Sequence, residues 1–195
     1  EGFHYSEVDM TANGGLGTVT TNKNINLLNN TSEKLSAVLK DCQTENIWVI
    51  TFADINGDEL NNSIFAYEVT ATGVNTTPVI SDLNILVPER RGYLKISPDG
   101  TKIACANISS GLYLFDFDTN TGQASNAQQI NINLNPDGKA QRPYGVEFSP
   151  NSQILYVSTY FETPQDDFNN ANAQYGALLQ YDLNANNISA SEEIL

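Results

Sequence analysis

Three observations predict an all-β chain: a β-propeller fragment with WD-repeat-like four-stranded antiparallel blades. Short runs of Ile, Val, Tyr, Phe and Thr recur along the 195 residues, and such side chains fit a pleated, half-buried surface. Asn, Gly, Asp and Pro bound nearly every run and read as turns. The segment 92–100 recurs at 144–152, and four strands repeating every ~40–50 residues mark a propeller blade. No long stretch carries apolar residues at the i, i+3, i+4, i+7 spacing of a helix.

The elements follow in order. Tyr5–Met10, with the turn Asn13-Gly14-Gly15, reads as the third strand of a blade, and Thr18–Leu28 holds its fourth. Residues 1–30 are thus the outer half of a blade. Residues 31–90 form a looser full blade from Leu35–Leu39, Ile47–Phe52, Phe65–Val69 and a strand near Thr77–Ile80. At Thr31–Lys40 a short helix competes with a strand.

Residues 91–140 form the next blade: Tyr93–Ile96, Lys102–Ala106, Leu112–Phe117 and Gln129–Leu134. Residues 141–195 repeat it with Tyr144–Phe148, Ile154–Ser158, Ala177–Leu183 and Ile188–Ile194. Ser97-Pro98-Asp99-Gly100 and Ser149-Pro150-Asn151-Ser152 close the two first strands. Pro presets φ, and Asp or Asn before Gly or Ser tolerates the reversed backbone. A propeller takes roughly four to eight blades. About three and a half do not close a ring alone, so a longer propeller with missing sequence on both sides is expected. The same strands stacked as a sandwich are the alternative.

Nine Lys+Arg against 23 Asp+Glu give a net charge of −14. That charge repels phosphate backbones and anionic membrane surfaces, so no nucleic-acid partner is expected. No run approaches ~18 apolar residues, so no membrane insertion is expected. The single His removes any site needing two imidazoles. Only geometry decides whether Cys42 and Cys105 pair.

Three constellations carry chemistry. Arg90, Arg91 and Tyr93 enter one first strand, and Arg142, Pro143 and Tyr144 enter its repeat. In an acidic chain this clusters positive charge at a channel mouth, so Arg91, Tyr93, Arg142 and Tyr144 are the candidate ligand-binding residues for a carboxylate or sugar. The competing reading has each Arg bridging neighbouring blades through acidic partners. Lys95 and Glu147, at matching positions, favour such pairing. Asp54, Asn56 and Asp58 match oxygen ligands 1, 3 and 5 of a calcium loop, but Glu59 stands where Gly belongs and Phe65 where the last Glu belongs. No cofactor is therefore expected beyond loosely bound Ca²⁺. Asp166 and Asp167 lie in the polar insertion 162–174, where adjacent carboxylates read as solvated. His4 is the sole base for a serine nucleophile, and no Gly-x-Ser-x-Gly elbow is present.

Several motifs together resemble a known group of proteins. They are Tyr5–Thr11 with Gly14–Val19, Glu33-Lys34-Leu35, Ile47–Ile50, Ser97–Lys102, Leu114–Asp118 and Tyr144–Pro150. This set is similar to the propeller region of Bacteroidota surface proteins secreted by the type IX system, the gliding-motility-associated family with a type B sorting domain. The resemblance implies export by the type IX machinery to the extracellular or outer-membrane surface of a Gram-negative bacterium. It implies no known activity; the role expected here is a scaffold or an adhesion module that binds a surface protein or glycan. It carries over no catalytic residues. The expectation is a non-catalytic module and not an enzyme; the alternative is a lactonase-like propeller hydrolase.

Overall fold

The computed structural model describes residues 2–134, 140–161 and 175–195. They divide into two compact units, Glu1–Thr31 and Ser32–Leu195. In the first, β1 (Phe3–Tyr5), β2 (Val8–Asp9), β3 (Thr18–Val19) and β4 (Ile25–Leu28) form two antiparallel pairs, β1 on β4 and β2 on β3. Glu7 N donates to Asn22 O at 2.8 Å and Thr20 N to Glu7 O at 3.0 Å, joining the two pairs.

The second unit holds three blades. The first contains β5 (Thr31–Leu39), β6 (Ile47–Ala53), β7 (Asn61–Thr70), β8 (Gly73–Val74) and β9 (Val79–Val87). Strands β5, β6 and β7 lie side by side, and β8 and β9 share the outer edge of β7. The second blade runs β10 (Leu94–Ile96), β11 (Lys102–Asn107), β12 (Gly111–Asp118), β13 (Gln123–Ile130). The third runs β14 (Arg142–Phe148), β15 (Ile154–Phe161), β16 (Tyr175–Asp182), β17 (Glu193–Ile194). The chain is a propeller fragment of about three and a half blades, and the ring is not closed. Among the described residues no helix is long and apolar enough to cross a membrane.

Two apolar layers hold the blades face to face. The pleat sends alternate residues of a strand to opposite faces, so β11 and β12 serve both layers. Ile103, Cys105, Phe115 and Phe117 join Trp48, Ile50, Phe52, Ile64 and Leu83. Ala104, Ala106, Leu112 and Leu114 join Phe148, Leu155, Val157, Leu179 and Tyr181. Burying each Leu- or Phe-sized side chain contributes roughly 1.5–3 kcal/mol. A strand buried on both faces reads as a continuous apolar run, and Ile103–Ala106 does.

The repeat seen in sequence recurs in the serine bonds that close the two turns. Ser97 Oγ donates to Asp99 Oδ1 at 2.6 Å, and Ser149 Oγ to Asn151 Oδ1 at 2.7 Å. Each serine oxygen also accepts the first backbone N–H of the next strand, from Lys102 and Ile154, at 2.9 Å. Gly100 and Ser152 both turn the chain at positive φ, 74° and 59°.

Some expected boundaries move. Thr31–Leu39 is a strand and not a helix, beginning four residues before Leu35. The fourth strand of the first blade starts at Val79, after Pro78, which has no N–H for a ladder, and continues to Val87. In the second blade the outer strand is Gln123–Ile130 and not Gln129–Leu134. Its largely exposed polar residues are selected by pairing with β12, a signal apolar patterning does not carry. Ile188–Ser191 is a 3₁₀ turn capped by the Asn187 side chain, leaving only Glu193–Ile194 as strand.

Candidate functional site

The first strands of the three blades are tied together at one end. Tyr93 N donates to Tyr144 O at 2.8 Å, joining the second and third blades. Glu33 N donates to Arg90 O at 3.2 Å, and Gly92 N donates to Glu33 Oε1 at 2.8 Å, joining the first and second. Gly92 sits at φ 118°, and a Cβ there would stand 2.2 Å from Ala106 O, so only glycine fits this crossing.

Around this junction is a cavity of about 390 Å³ whose lining includes Glu33, Lys34, Tyr93, Lys95 and Tyr144. Tyr93 and Tyr144 are 52% and 37% exposed. Their ring centres are 5.4 Å apart and tilted by 49°, making a two-ring apolar platform. Tyr144 Oη donates to Glu33 Oε1 at 3.3 Å. The Glu33 charge pushes the Tyr144 phenol up, which keeps it a proton donor.

Lys34 is the unusual member. It is 1% exposed, and Nζ donates to Arg91 O at 3.0 Å. Burial pushes its ammonium below the ordinary lysine range, against the upward pull of Cys105, Glu33 and Glu89. The Cys105 thiol is itself pushed up to about 11 by burial, so it is no nucleophile. Lys95 Nζ lies 2.7 Å from Glu147 Oε2, the pairing between blades that their matching positions suggested.

The candidate residues divide. Tyr93 and Tyr144 meet in the cavity. Arg91 Nε and Nη2 grip Glu89, two residues away, at 3.0 and 3.1 Å. That grip, with the Arg91 N–H and the Ser109 hydroxyl, holds the Glu89 carboxyl down to about 2 against the cost of burial. Arg142 lines another cavity, of about 530 Å³, with Ser109, Gln129 and Gln141.

In the calcium-like loop, Asp54 Oδ1 accepts from Asn56 N and Gly57 N at 2.7 and 2.8 Å, and Oδ2 from Glu59 N at 2.6 Å. Burial raises its pKa, and these three N–H groups outweigh burial and hold it low. Asp58 accepts from Leu60 N at 3.1 Å. Among the described residues no cluster of three or more His, Cys, Asp or Glu could hold a metal. Cys42 and Cys105 are both free, one exposed and one buried. His4 lies in the first unit, its ring bonded to Gly2 O and to the Asn26 amide. Asp166 and Asp167 lie outside the described residues.

Sequence reasoning missed Glu33 and Lys34 as site residues. Starting the strand at Leu35 hid them. The usable signal was the inverted pleat: Lys34 points inward, and Leu35 beside it is 55% exposed.

No family model and no curated protein matches the sequence. Among solved structures, the periplasmic gluconolactonase of Pseudomonas aeruginosa aligns with a TM-score of 0.52 at 14% identity, over 98% of this chain and 62% of that one. A hypothetical selenium-binding protein from Sulfolobus tokodaii aligns with a TM-score of 0.52 at 14% identity, over 85% of this chain and 40% of that one. This chain therefore spans less than two thirds of either. At such identity the likeness establishes a shared fold. It also corrects the expectation that the chain is not an enzyme: a structure sharing the fold over nearly all of this chain is named as a lactonase. The propeller architecture supplies no ground for a non-catalytic reading.

Proposed function

We propose that the chain is part of a lactonase-like propeller hydrolase whose reaction takes place in the Glu33–Lys34–Tyr93–Lys95–Tyr144 cavity. The supporting observation is a solvent-facing carboxylate, Glu33, fixed by a backbone N–H and a phenol beside an aromatic platform. The likeness to a gluconolactonase supports the reaction class.

A cyclic ester lying on Tyr93 and Tyr144 presents its carbonyl carbon to a water held by Glu33. Glu33 takes the proton as general base, and the water oxygen bonds to the carbonyl carbon. The ring C–O bond then breaks. The proton passes from Glu33 to the departing alkoxide, giving an open hydroxy acid with atoms balanced.

A pH-stat assay of the intact protein on δ-gluconolactone, compared with the spontaneous rate, tests this. Glu33→Gln is expected to lower kcat roughly 10²–10⁴-fold, the range for loss of a general base. No rate above background by the wild type, or full activity in Glu33→Gln, overturns the reading. The resemblance to type IX-secreted proteins supports an extracytoplasmic setting as part of the same proposal.

A further inference from the structure

We propose that this mouth selects uncharged, hydroxyl-bearing rings and rejects their phosphorylated counterparts. The inference rests on the hydrolase reading and adds a substrate class to it.

A phosphate ester brings a charge near −2 and asks for cations or N–H groups able to turn toward it. Three cations near the junction, Lys95, Arg91 and Lys34, are already committed. Lys95 Nζ is bonded to Glu147 at 2.7 Å. Arg91 grips both oxygens of Glu89 at 3.0 and 3.1 Å. Lys34 is buried, with Nζ on the Arg91 carbonyl at 3.0 Å. The Gly92 N–H, an obvious backbone donor, points at Glu33 at 2.8 Å. Besides the paired Lys95 and the apolar Leu35, what faces solvent in the cavity is an acceptor and two rings. Glu33 is exposed and Tyr93 is half-exposed. A carboxylate accepts hydrogen bonds from sugar hydroxyls and repels phosphate. The faces of Tyr93 and Tyr144 suit the C–H face of a sugar ring. The net charge of −14 adds a repulsive field at longer range.

The chemistry gives two readouts. In turnover, kcat/KM for δ-gluconolactone is expected to exceed that for its 6-phosphate at least tenfold at low salt. The ratio is expected to shrink as ionic strength rises, because the repulsion is screened. Glu147→Gln frees Lys95 from its partner and is expected to shift the ratio toward the phosphorylated substrate. In binding, calorimetry with glucose and glucose 6-phosphate is expected to give heat only for the neutral sugar. This arm separates the two proposals. If neither lactone is hydrolysed but glucose alone binds, the hydrolase reading fails and the selectivity stands. Equal or better use of the phosphorylated lactone, equal or tighter binding of glucose 6-phosphate, or no binding of either sugar overturns the selectivity.

Discussion

A buried lysine on a neutral carbonyl costs stability, and Lys34 is such a residue. Its charged form is desolvated and its bonded partner, Arg91 O, carries no full charge. Replacing it by an unbranched apolar side chain of similar volume is expected to stabilise the fold. Lys34→Met should raise unfolding free energy by on the order of 1 kcal/mol, and denaturant melts of the two proteins check it. Glu89 behaves in the opposite way. Its carboxyl is held near 2 in the folded protein against a reference of 4.5. A depressed acid stabilises the fold above its unfolded pKa, and that stability is lost as pH falls through the folded one. The loss therefore falls between about pH 4.5 and 2. Arg91 is 61% exposed, so solvent screening brings the effect to on the order of 1 kcal/mol. Glu89→Gln should flatten the melting temperature across that window. At this scale the sequence was half legible. Tyr93 and Tyr144 stood out as aromatics entering repeated strands. Lys34 did not, because an inward lysine beside an outward leucine inverts the rule by which inward faces are read.

The Ser-Pro-Asp/Asn turn is where element and sequence agree best. The serine oxygen closes the next strand, and the Asp99 or Asn151 oxygen orients that serine. Asp99 accepts more bonds than its counterpart: Thr101 N at 3.0 Å and Thr101 Oγ1 at 2.9 Å, where Asn151 accepts Gln153 N at 3.2 Å. Bonds to a charged acceptor are the stronger. Asp99→Ala is expected to cost about 1.5–3 kcal/mol and Asn151→Ala about 0.5–1.5 kcal/mol. Chemical denaturation of the two variants checks the order; equal costs would remove the role given to charge. Such turns were legible because their bonds span only a few residues. The outer strands were not. Gln123–Ile130 exposes most of its residues and is a strand only because β12 lies beside it. Glu193–Ile194 is cut short by a capped turn that apolar spacing mistook for strand.

Blades in a row contact only their neighbours, so stability is carried by the interfaces between them. The interface between the first and second blades has one large peg, the sole tryptophan. Trp48 is 4% exposed, and Nε1 donates to Thr119 O at 2.6 Å in the turn linking β12 to β13. Gly122, in the same turn, has φ 75°, and a Cβ there would come within 2.8 Å of the indole ring. The ring and the glycine therefore need each other. Trp48→Ala is expected to cost about 3–5 kcal/mol through the cavity and the lost bond. Gly122→Ala collides with the ring and strains the backbone, and only the collision depends on Trp48. In the double variant the collision vanishes while the backbone strain remains. The two changes should then cost less together than the sum of each alone, by about 1 kcal/mol or more. Denaturant unfolding of the four proteins closes the cycle. Additive costs would mean the indole moves aside freely, and the peg would not be what holds these two blades in register.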